Sequence, residues 1–484
     1  MEIIMIDKTR GIALKALYKI DKEKAYSNIV LNEMIKQNKN NLQDRDIGLI
    51  SEIVYGTTTW KLTLDEIIKK YSKLKLKKIS IWILNILRMG VYQIIFLDKI
   101  PKSAAVNESV ELAKRYGHRS SSNFVNAILR KVDKKDYEEL FNIENDIERI
   151  SKVYSIPVWI LQKLSEQLNI QEIEEIAKAS NFRPSVSIRI NKLKTTKESL
   201  IKKLENRNIN IKEGLLEDFL ILENVRNIEE MPEFKQGEIT VQDETAGLIA
   251  IALEPEKNDI ILDACSSPGG KTTYLAEMIE NAGKIEAWDI HEHRTKLVEK
   301  TAKRLGITNI QVNVNDATIY NEKYKEKFDK ILLDVPCLGI GVLKRKPDIK
   351  WQKEEKDVEE ITKTQKEILQ TCSQYLKKGG KLIYSTCSIL KEENEDIIEE
   401  FLENNKNFEI EKINLQENNK IKNKEFFQKY QKQDKYFQIY QNEHTDGFFI
   451  CKLTKKAWKT GKKTIITTIL HLYDIYIKNI DFLI

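Results

Sequence analysis

The chain has 484 residues, of which 41% are hydrophobic and 32% charged, a balance typical of a globular protein with two or three buried cores. Its formal net charge of +6, from 80 basic and 74 acidic residues, permits a polyanionic partner but does not by itself indicate one. The five cysteines form no CxxC pair and the scattered histidines offer no ligand set, so we expect neither a disulfide framework nor a metal site.

The two ends of the chain bear on its location. The first residues, MEIIMIDKTRGIALKAL, are too charged for a secretory signal, and no run of about 18 uncharged apolar residues suggests a membrane span. We therefore expect a cytoplasmic protein without a membrane partner. The tail, 456–484, joins a basic stretch to an apolar one that contains Asp474, Lys478 and Asp481, and its role stays open.

Residues 1–140 are expected to form an all-α bundle. Apolar residues recur at three- and four-residue spacing within 12–20 and again within 79–87, which predicts amphipathic helices. Pro101 lies in a turn between two such runs. Because helix follows helix without an alternating strand pattern, the region is typical of a bundle.

Residues 150–235 are expected to form a small α+β subdomain. The stretch VYSIPVWILQKLSEQL (153–168) predicts one helical element with Pro157 near its start. RPSVSIRINKLK (183–194) alternates as a strand does, and short pieces of both kinds follow it.

Residues 236–455 predict an α/β domain with a doubly wound, mostly parallel sheet. Short apolar runs alternate there with amphipathic helical windows, and the runs lie at 259–265, 284–290, 310–316, 328–337 and 381–388. Strands buried on both faces with helices between them form parallel sheets, whose ligands bind at the carboxyl ends of the strands. Each run ends in a polar or reactive residue, so we expect the site at that edge.

A glycine-rich turn, 263–272, follows the first run and opens a helix. Gly269 and Gly270 let the backbone pass close to a ligand, although neither a dinucleotide fingerprint nor a Walker loop has this spacing. Asp289 ends the second run, where an acid can accept hydrogen bonds from ribose hydroxyls, and Asp316 ends the third, where it can meet an adenine amino group. Each acid alone has the alternative role of a helix cap. Together they predict a nucleoside pocket.

Cys337 ends the fourth run and Cys387 the fifth, so we expect both thiols to face one crevice. A free cysteine is usually a small buried apolar residue, but two beside such a loop favour chemistry. A thiolate that adds to C6 of cytosine makes C5 nucleophilic toward a methyl sulfonium, and positive charge from Lys271 and the sulfonium would favour the thiolate. Asp334 would stabilise N3 and N4 of the ring only if protonated, and the base must first leave its stack.

Several motifs resemble, in order, those of RNA cytosine-5 methyltransferases, and most closely the Sun (RsmB) family of bacterial 16S ribosomal RNA methyltransferases. The resemblance covers about residues 8–453. RPSVSIRIN fits the subdomain, and 86–132 resembles the RNA-binding antitermination factor NusB. The motifs of the third domain are VQDETAGLIA, DACSSPGGKT, AWDIHEHR, DVPCLGIGVLKRKPDIKW, YSTCSILKEENE and HTDGFFICKL.

The resemblance implies a Rossmann-like methyltransferase domain (236–455) that uses S-adenosylmethionine (SAM), preceded by a NusB-like RNA-binding domain (1–140) and an RNA-binding subdomain (150–235). It implies C5 methylation of a specific cytosine in small-subunit ribosomal RNA through a covalent Cys387–C6 adduct. Cys337 is implied to assist proton removal and product release, while Asp334 contacts the cytosine with Lys271 beside it. The implied SAM contacts are Cys265, Ser266, Ser267, Pro268, Gly269, Gly270, Lys271, Asp289, Asp316 and Asp334.

DNA cytosine methyltransferases attack from the PC motif, so the presence of both Cys337 and Cys387 favours RNA over DNA. Leu338 stands where the family usually has serine, and Lys346 where histidine is common. We expect a monomer. Two alternatives stay open: methylation of transfer RNA, against which only the NusB-like domain argues, and a non-catalytic NusB-type RNA-binding adaptor, against which the intact thiols and Asp334 argue.

Overall fold

The computed structural model describes residues 8–457 with the exception of 224 and 226. The predicted tail therefore lies outside the described residues, apart from its first two. Within the described part of the chain, no helix is both long enough and apolar enough to cross a membrane.

The N-terminal part is all-helical, as predicted. Helix α5 is buried around most of its surface from Ile83 to Ile95, so it forms the centre against which α1, α3, α4, α6 and α7 pack. Ser80 caps its first turn by accepting a hydrogen bond from Ile83 N. The helices are α1 (Lys8–Glu23), α2 (Ser27–Asn38), α3 (Asp44–Thr59), α4 (Lys61–Tyr71), α5 (Ile81–Phe96), α6 (Lys102–Tyr116), α7 (Arg119–Leu129) and α8 (Lys135–Glu138).

The predicted helical element at 153–168 is two helices. Helix α9 ends at Tyr154, Ser155 has a left-handed φ of 57°, and the next helix starts only after Pro157. Proline lacks an N–H group and disfavours a helical residue before it, so Pro157 starts a new helix and cannot continue the first. The helices here are α9 (Asp146–Tyr154), α10 (Val158–Ser165) and α11 (Ile170–Ala179).

An antiparallel four-stranded sheet of order β2-β3-β1-β4 follows, with the predicted strand of RPSVSIRIN near its centre. This confirms the α+β character of the segment. Its elements are β1 (Val186–Ile190), α12 (Lys197–Glu205), β2 (Asn210–Glu213), β3 (Phe219–Glu223), α13 (Pro232–Lys235) and β4 (Ile239–Val241).

The third part is a mixed sheet with helices on both faces, and each of the five apolar runs contains a strand. The sheet order is β11-β12-β13-β9-β8-β5-β6-β7, and β10 also pairs with β13. The elements are α14 (Glu244–Ala252), β5 (Ile260–Asp263), α15 (Gly270–Met278), β6 (Lys284–Asp289), α16 (Glu292–Leu305), β7 (Ile310–Val314), β8 (Phe328–Asp334), α17 (Ile349–Gln352), α18 (Asp357–Ser373), β9 (Leu376–Thr386), α19 (Glu395–Asn404), β10 (Phe408–Ile410), α20 (Lys424–Gln428), β11 (Gln431–Lys432), β12 (Tyr436–Ile439) and β13 (Phe448–Lys455).

Strands β5 to β9 are parallel to one another, whereas β13 runs antiparallel to β9. The chain leaves β5 toward β6 and β7, then returns to form β8 and β9 on the other side. The order therefore reverses between β5 and β8, where open α/β sheets bind their ligands. The α/β class is confirmed, and the antiparallel extension explains why the sheet is only mostly parallel.

Candidate active site

The predicted site residues lie along the carboxyl edge of the five parallel strands. In spatial order the edge carries Cys387 after β9, Cys337 after β8, the loop 264–270 after β5, Asp289 at the end of β6 and Asp316 beyond β7. The glycine-rich loop is thus placed between two thiols on one side and two acids on the other.

The structure brings the two thiols together. The Sγ atoms of Cys337 and Cys387 are 3.0 Å apart, and both side chains are half-buried. The hydrogen bond with Cys387 is the largest cause, and burial the second, that raises the pKa of Cys337 well above its usual range. Cys337 therefore retains its proton at neutral pH and can donate it in a hydrogen bond to a Cys387 thiolate.

Lys271 and Asp334 form an ion pair next to the thiols. Lys271 Nζ donates to Asp334 Oδ2 at 2.6 Å, and Ser385 Oγ donates to Asp334 Oδ1 at 3.0 Å. Burial lowers the pKa of Lys271, but the Asp334 carboxylate more than offsets this and raises it overall. Lys271 thus places a second hydrogen-bond donor beside Asp334, for which the sequence-based expectation was a protonated carboxyl that contacts the base. The role of Asp334 toward a base remains a prediction.

The loop after β5 is fixed to its neighbours by backbone hydrogen bonds. Ser266 donates to Trp288 O from both N and Oγ, at 2.8 and 2.9 Å, which ties the loop to β6. Gly269 has a left-handed φ of 101°, and a Cβ there would lie 3.2 Å from Val298 Cα. Helix α15 begins at Gly270, so its first N–H groups are free for a ligand.

The other loop residues make contacts away from the strand edge or have a buried thiol. Ser267 Oγ donates to Arg294 O at 3.2 Å, and Pro268 O accepts from Thr301 Oγ1 at 3.4 Å, so both contact α16. Burial raises the pKa of the Cys265 thiol well above its usual range, which makes it a poor nucleophile.

Asp289 and Asp316 are already engaged with their own turns. Asp289 accepts from His291 N at 3.0 Å and pairs with Arg294 Nε at 3.3 Å. Asp316 Oδ1 accepts from N and Oγ1 of Thr318, at 2.9 and 2.7 Å, as a capping residue does. Their contacts with a nucleoside remain predictions.

Asp263 is a buried carboxyl group that the sequence analysis quoted but did not assign. Thr272 Oγ1 donates to its Oδ2 at 2.7 Å, while Oδ1 is buried without a hydrogen-bond partner among the described residues. Burial raises the pKa of Asp263 to about 7. Asp263 lies at the end of β5, and this position at the end of a predicted strand is the sequence feature that could have identified it.

Arg189 of β1 was also not predicted, and it contacts the end of the glycine-rich loop and the start of α15. Its side chain is fully buried, and it donates to Gly270 O at 2.7 Å, to Thr273 Oγ1 at 3.0 Å and to both Glu277 oxygens at 2.7 and 3.0 Å. The small subdomain therefore fixes the first turns of α15. The alternating pattern of RPSVSIRIN predicts that Arg189 lies in a strand, but it does not predict that Glu277 is its partner.

The segment after Cys337 connects the site to other parts of the chain. Arg345 donates to Asp243 Oδ2 at 2.9 Å and also pairs with Asp446, which is buried in the loop before β13. Of the two family departures, Leu338 is buried and Lys346 is exposed.

The same segment docks on the N-terminal helices. Trp351 Nε1 donates to Thr58 O at 2.7 Å, and Ser27 donates to Asp348 Oδ1 from both N and Oγ. Lys350 is fully buried at this contact, and burial lowers its pKa to about 7. The helical domain thus packs against residues that lie 11 to 14 positions beyond Cys337.

A metal centre is not supported by the described residues, which contain no cluster of three His, Cys, Asp or Glu side chains suited to hold an ion. The arrangement instead combines a thiol pair, an ion pair and a glycine-rich turn at one switch point.

Known families match all three parts of the chain. The family described as 16S rRNA methyltransferase RsmB/F matches residues 250–454, the NusB family matches 7–134, and the ferredoxin-like domain of RsmF/B-like methyltransferases matches 156–229. A probable ribosomal RNA small subunit methyltransferase B from Bacillus subtilis is 35% identical, over 93% of this chain and 99% of its own length. This chain belongs to the RsmB/F family.

Two further matches extend over nearly the whole molecule. The ribosomal RNA small subunit methyltransferase B of Shewanella oneidensis is 31% identical, over 92% of this chain and 99% of its own length. The solved structure of the protein PH0851 superposes with a TM-score of 0.76 at 26% identity, covering 93% of this chain and 99% of that one. Family and fold therefore hold for all three parts together.

Proposed function

We propose that this chain transfers a methyl group from S-adenosylmethionine to C5 of a cytosine in small-subunit ribosomal RNA, through a covalent bond between Cys387 Sγ and C6. The observation that carries the proposal is the thiol pair, 3.0 Å apart, beside the Lys271–Asp334 ion pair. Family membership and the names of the relatives support the RNA substrate.

The residues around β5 fit the cofactor. The turn at Gly269 packs tightly on α16, since a Cβ there would lie 3.2 Å from Val298 Cα, and Asp263 Oδ1 is buried without a hydrogen-bond partner among the described residues. Such a carboxyl suits a ligand that carries hydrogen-bond donors and positive charge. When bound, S-adenosylmethionine supplies a methyl group activated by its sulfonium.

Cys387 acts first in this scheme. Its thiolate forms the Sγ–C6 bond, which moves the C5–C6 electron pair to C5, where the methyl group is accepted. A base then removes the C5 proton, the Sγ–C6 bond breaks, and Cys387 departs as a thiolate. Cys337, protonated at neutral pH, stabilises that departing thiolate by a hydrogen bond. Cys337 could remove the C5 proton only as a thiolate. Because the pKa of Cys337 is high, that thiolate would be a strong base but would be present in only a small fraction of molecules.

The ion pair orients the target ring. In this scheme the Asp334 carboxylate accepts a hydrogen bond from the N4 amino group, and the Lys271 ammonium, 2.6 Å from Asp334 Oδ2, offsets the negative charge that develops on the ring. Outside this pocket, the NusB and ferredoxin-like matches support RNA contacts by the helical domain and the subdomain.

The test incubates the full chain with methyl-labelled S-adenosylmethionine and either small-subunit ribosomal RNA or transfer RNA, then maps the label. We expect 5-methylcytosine in the ribosomal RNA and none with Cys387→Ser. Label confined to transfer RNA would instead support the first alternative. Absence of both transfer and cofactor binding would support the adaptor.

A further inference from the structure

One buried carboxylate near the thiols has no part in the chemistry described so far. Glu393 lies in a 3-10 turn after β9, and its side chain is fully buried. Its Oε2 accepts from Leu338 N at 2.9 Å and from Gln365 Nε2 at 3.0 Å, and its Oε1 accepts from Ser388 Oγ. These donors offset part of the cost of burying the carboxylate, although burial still raises the pKa of Glu393 above its usual value.

Two of the three donors lie in the two loops that carry the thiols. Leu338 directly follows Cys337, and Ser388 directly follows Cys387. A single side chain therefore connects the loop after β8 to the loop after β9. Gln365 strengthens the connection from α18, because its Nε2 also donates to the carbonyl oxygen of the residue before Cys337, at 2.9 Å.

The turn that carries Glu393 is itself fixed to β9. Tyr384 OH donates to Glu393 O at 2.7 Å, and Thr386 Oγ1 donates to Asn394 Oδ1 at 2.6 Å. Asn394 Nδ2 in turn donates to Ser388 O at 3.2 Å. With its backbone anchored on the Cys387 strand, the Glu393 side chain holds the Cys337 loop at Leu338, in addition to the backbone hydrogen bond from Gly341 N to Cys387 O at 2.9 Å.

We propose that Glu393 is a positioning residue that sets the separation of the Cys337 and Cys387 sulfur atoms and so allows both to act on one cytosine. The proposal rests on the thiol chemistry proposed above. Two groups that act on one base must be placed closely, since a displacement of about 1 Å costs on the order of 100-fold in rate.

The charge of Glu393 also bears on the thiol pair, in addition to the length of its side chain. After the bond to Cys387 and burial, the negative charges of Cys387, Glu393 and Asp334 raise the pKa of Cys337 further. Lys271, which pairs with Asp334, is close enough to Cys387 for the two groups to interact electrostatically. Glu393 therefore helps Cys337 to remain the protonated member of the pair.

Three substitutions separate reach from charge. Glu393→Ala removes both, and Glu393→Asp keeps the charge but is one methylene too short to reach both loops. Glu393→Gln keeps the length: its oxygen can accept from Leu338 N while its amide donates to Ser388 Oγ. We expect kcat to fall about 100-fold for Ala and Asp and about tenfold or less for Gln. The dissociation constant for S-adenosylmethionine should stay within about twofold, and the exposed Glu399→Gln should match wild type.

A second measurement needs no RNA, so it also separates failure of this proposal from failure of the proposed function. Phenylarsine oxide bridges two adjacent thiols, forming two As–S bonds and releasing water, and intact-protein mass spectrometry follows the product. We expect fast bridging in wild type, none in Cys387→Ser, and bridging at least tenfold slower in Glu393→Asp.

Equal bridging rates in wild type and Glu393→Ala would overturn the proposal. So would a parallel loss of kcat and cofactor affinity, because that pattern indicates a general folding role. If the Ala and Asp variants do not fold, Ser388→Ala and Gln365→Met each remove one donor to Glu393. Each should then slow both bridging and methylation, and unchanged rates in both variants would equally overturn the proposal.

Discussion

Lys271 Nζ lies 2.6 Å from Asp334 Oδ2, and this pair joins the helix after β5 to the end of β8. The two strands flank the point where the sheet order reverses. The contact therefore spans the boundary between the glycine-rich loop and the thiol loops. In the proposed function, the pair lies between the methyl donor and the target base.

Loss of either charge should disable the site without unfolding the chain. We expect Lys271→Met and Asp334→Asn each to lower kcat about 100- to 1,000-fold, since each removes a fixed charge at a group that becomes charged. The double variant should be hardly worse than either single variant, because the two act as one unit. Steady-state methylation measures this, with the exposed Lys363→Met as control. Additive losses would contradict the shared role.

The two thiols should have different fates when removed. Cys387→Ala should be inactive, because no sulfur remains to attack C6. Cys337→Ala should accumulate a protein–RNA adduct, since the hydrogen bond that helps the thiolate leave is lost. Denaturing gels with labelled RNA detect the adduct. Adduct in the Cys387 variant in place of the Cys337 variant would reverse the assignment.

Arg189 should matter for both stability and cofactor binding. Arg189→Met leaves Glu277 buried without its partner, so we expect about 3–5 kcal/mol loss in the free energy of unfolding. Cofactor affinity should weaken as well, because Gly270 O and Thr273 lose their donor. Denaturant unfolding and cofactor titration measure the two effects, and Arg189→Met combined with Glu277→Leu should recover part of the stability. Full affinity in a folded Arg189→Met protein would refute the support role.

Asp263 should give the fold a pH dependence. Burial raises its pKa to about 7, against roughly 3.9 in an unfolded chain. Its protonated form is favoured by folding, so this contribution is complete below about pH 4 and declines as the pH rises through about 7. Between pH 5 and pH 8 the decline amounts to about 2–3 kcal/mol.

Asp263→Asn should flatten that part of the stability curve, because an amide does not titrate. Unfolding free energies at several pH values test this, with the exposed Glu299→Gln as the matched control. Identical pH slopes for wild type and Asp263→Asn would show that Asp263 ionises normally.

Much of the architecture could be predicted from the sequence because it depends on local patterns. The apolar runs have the length and flanks of buried strands, and parallel strands end at one edge, so Cys337 and Cys387 were expected to meet. Pro157 shows where the pattern fails: the apolar spacing continues across it, but proline geometry divides the helix.

The unpredicted residues depend on contacts between distant segments. Glu393 receives a hydrogen bond from Leu338, 55 positions earlier, and Arg189 pairs with Glu277, 88 positions later. Asp334 likewise pairs with Lys271, which lies 63 positions earlier. Periodicity predicts which side of a helix or strand is buried, but it does not predict which polar side chain from a distant segment contacts that side.

The docking of Trp351 and Asp348 on the N-terminal helices determines how this protein can be divided. A fragment that begins after the helical domain would expose Trp351 to water and leave Asp348 without the donors of Ser27. Lys350, now buried, would become exposed to solvent, and its pKa would rise from about 7 toward its usual value. A different family model matches each of the three parts, yet the helical domain packs directly on the third part at Trp351 and Asp348. Removing the helical domain would expose the surface that follows the Cys337 loop. A truncated protein would therefore not have the same surroundings of the site as the full chain.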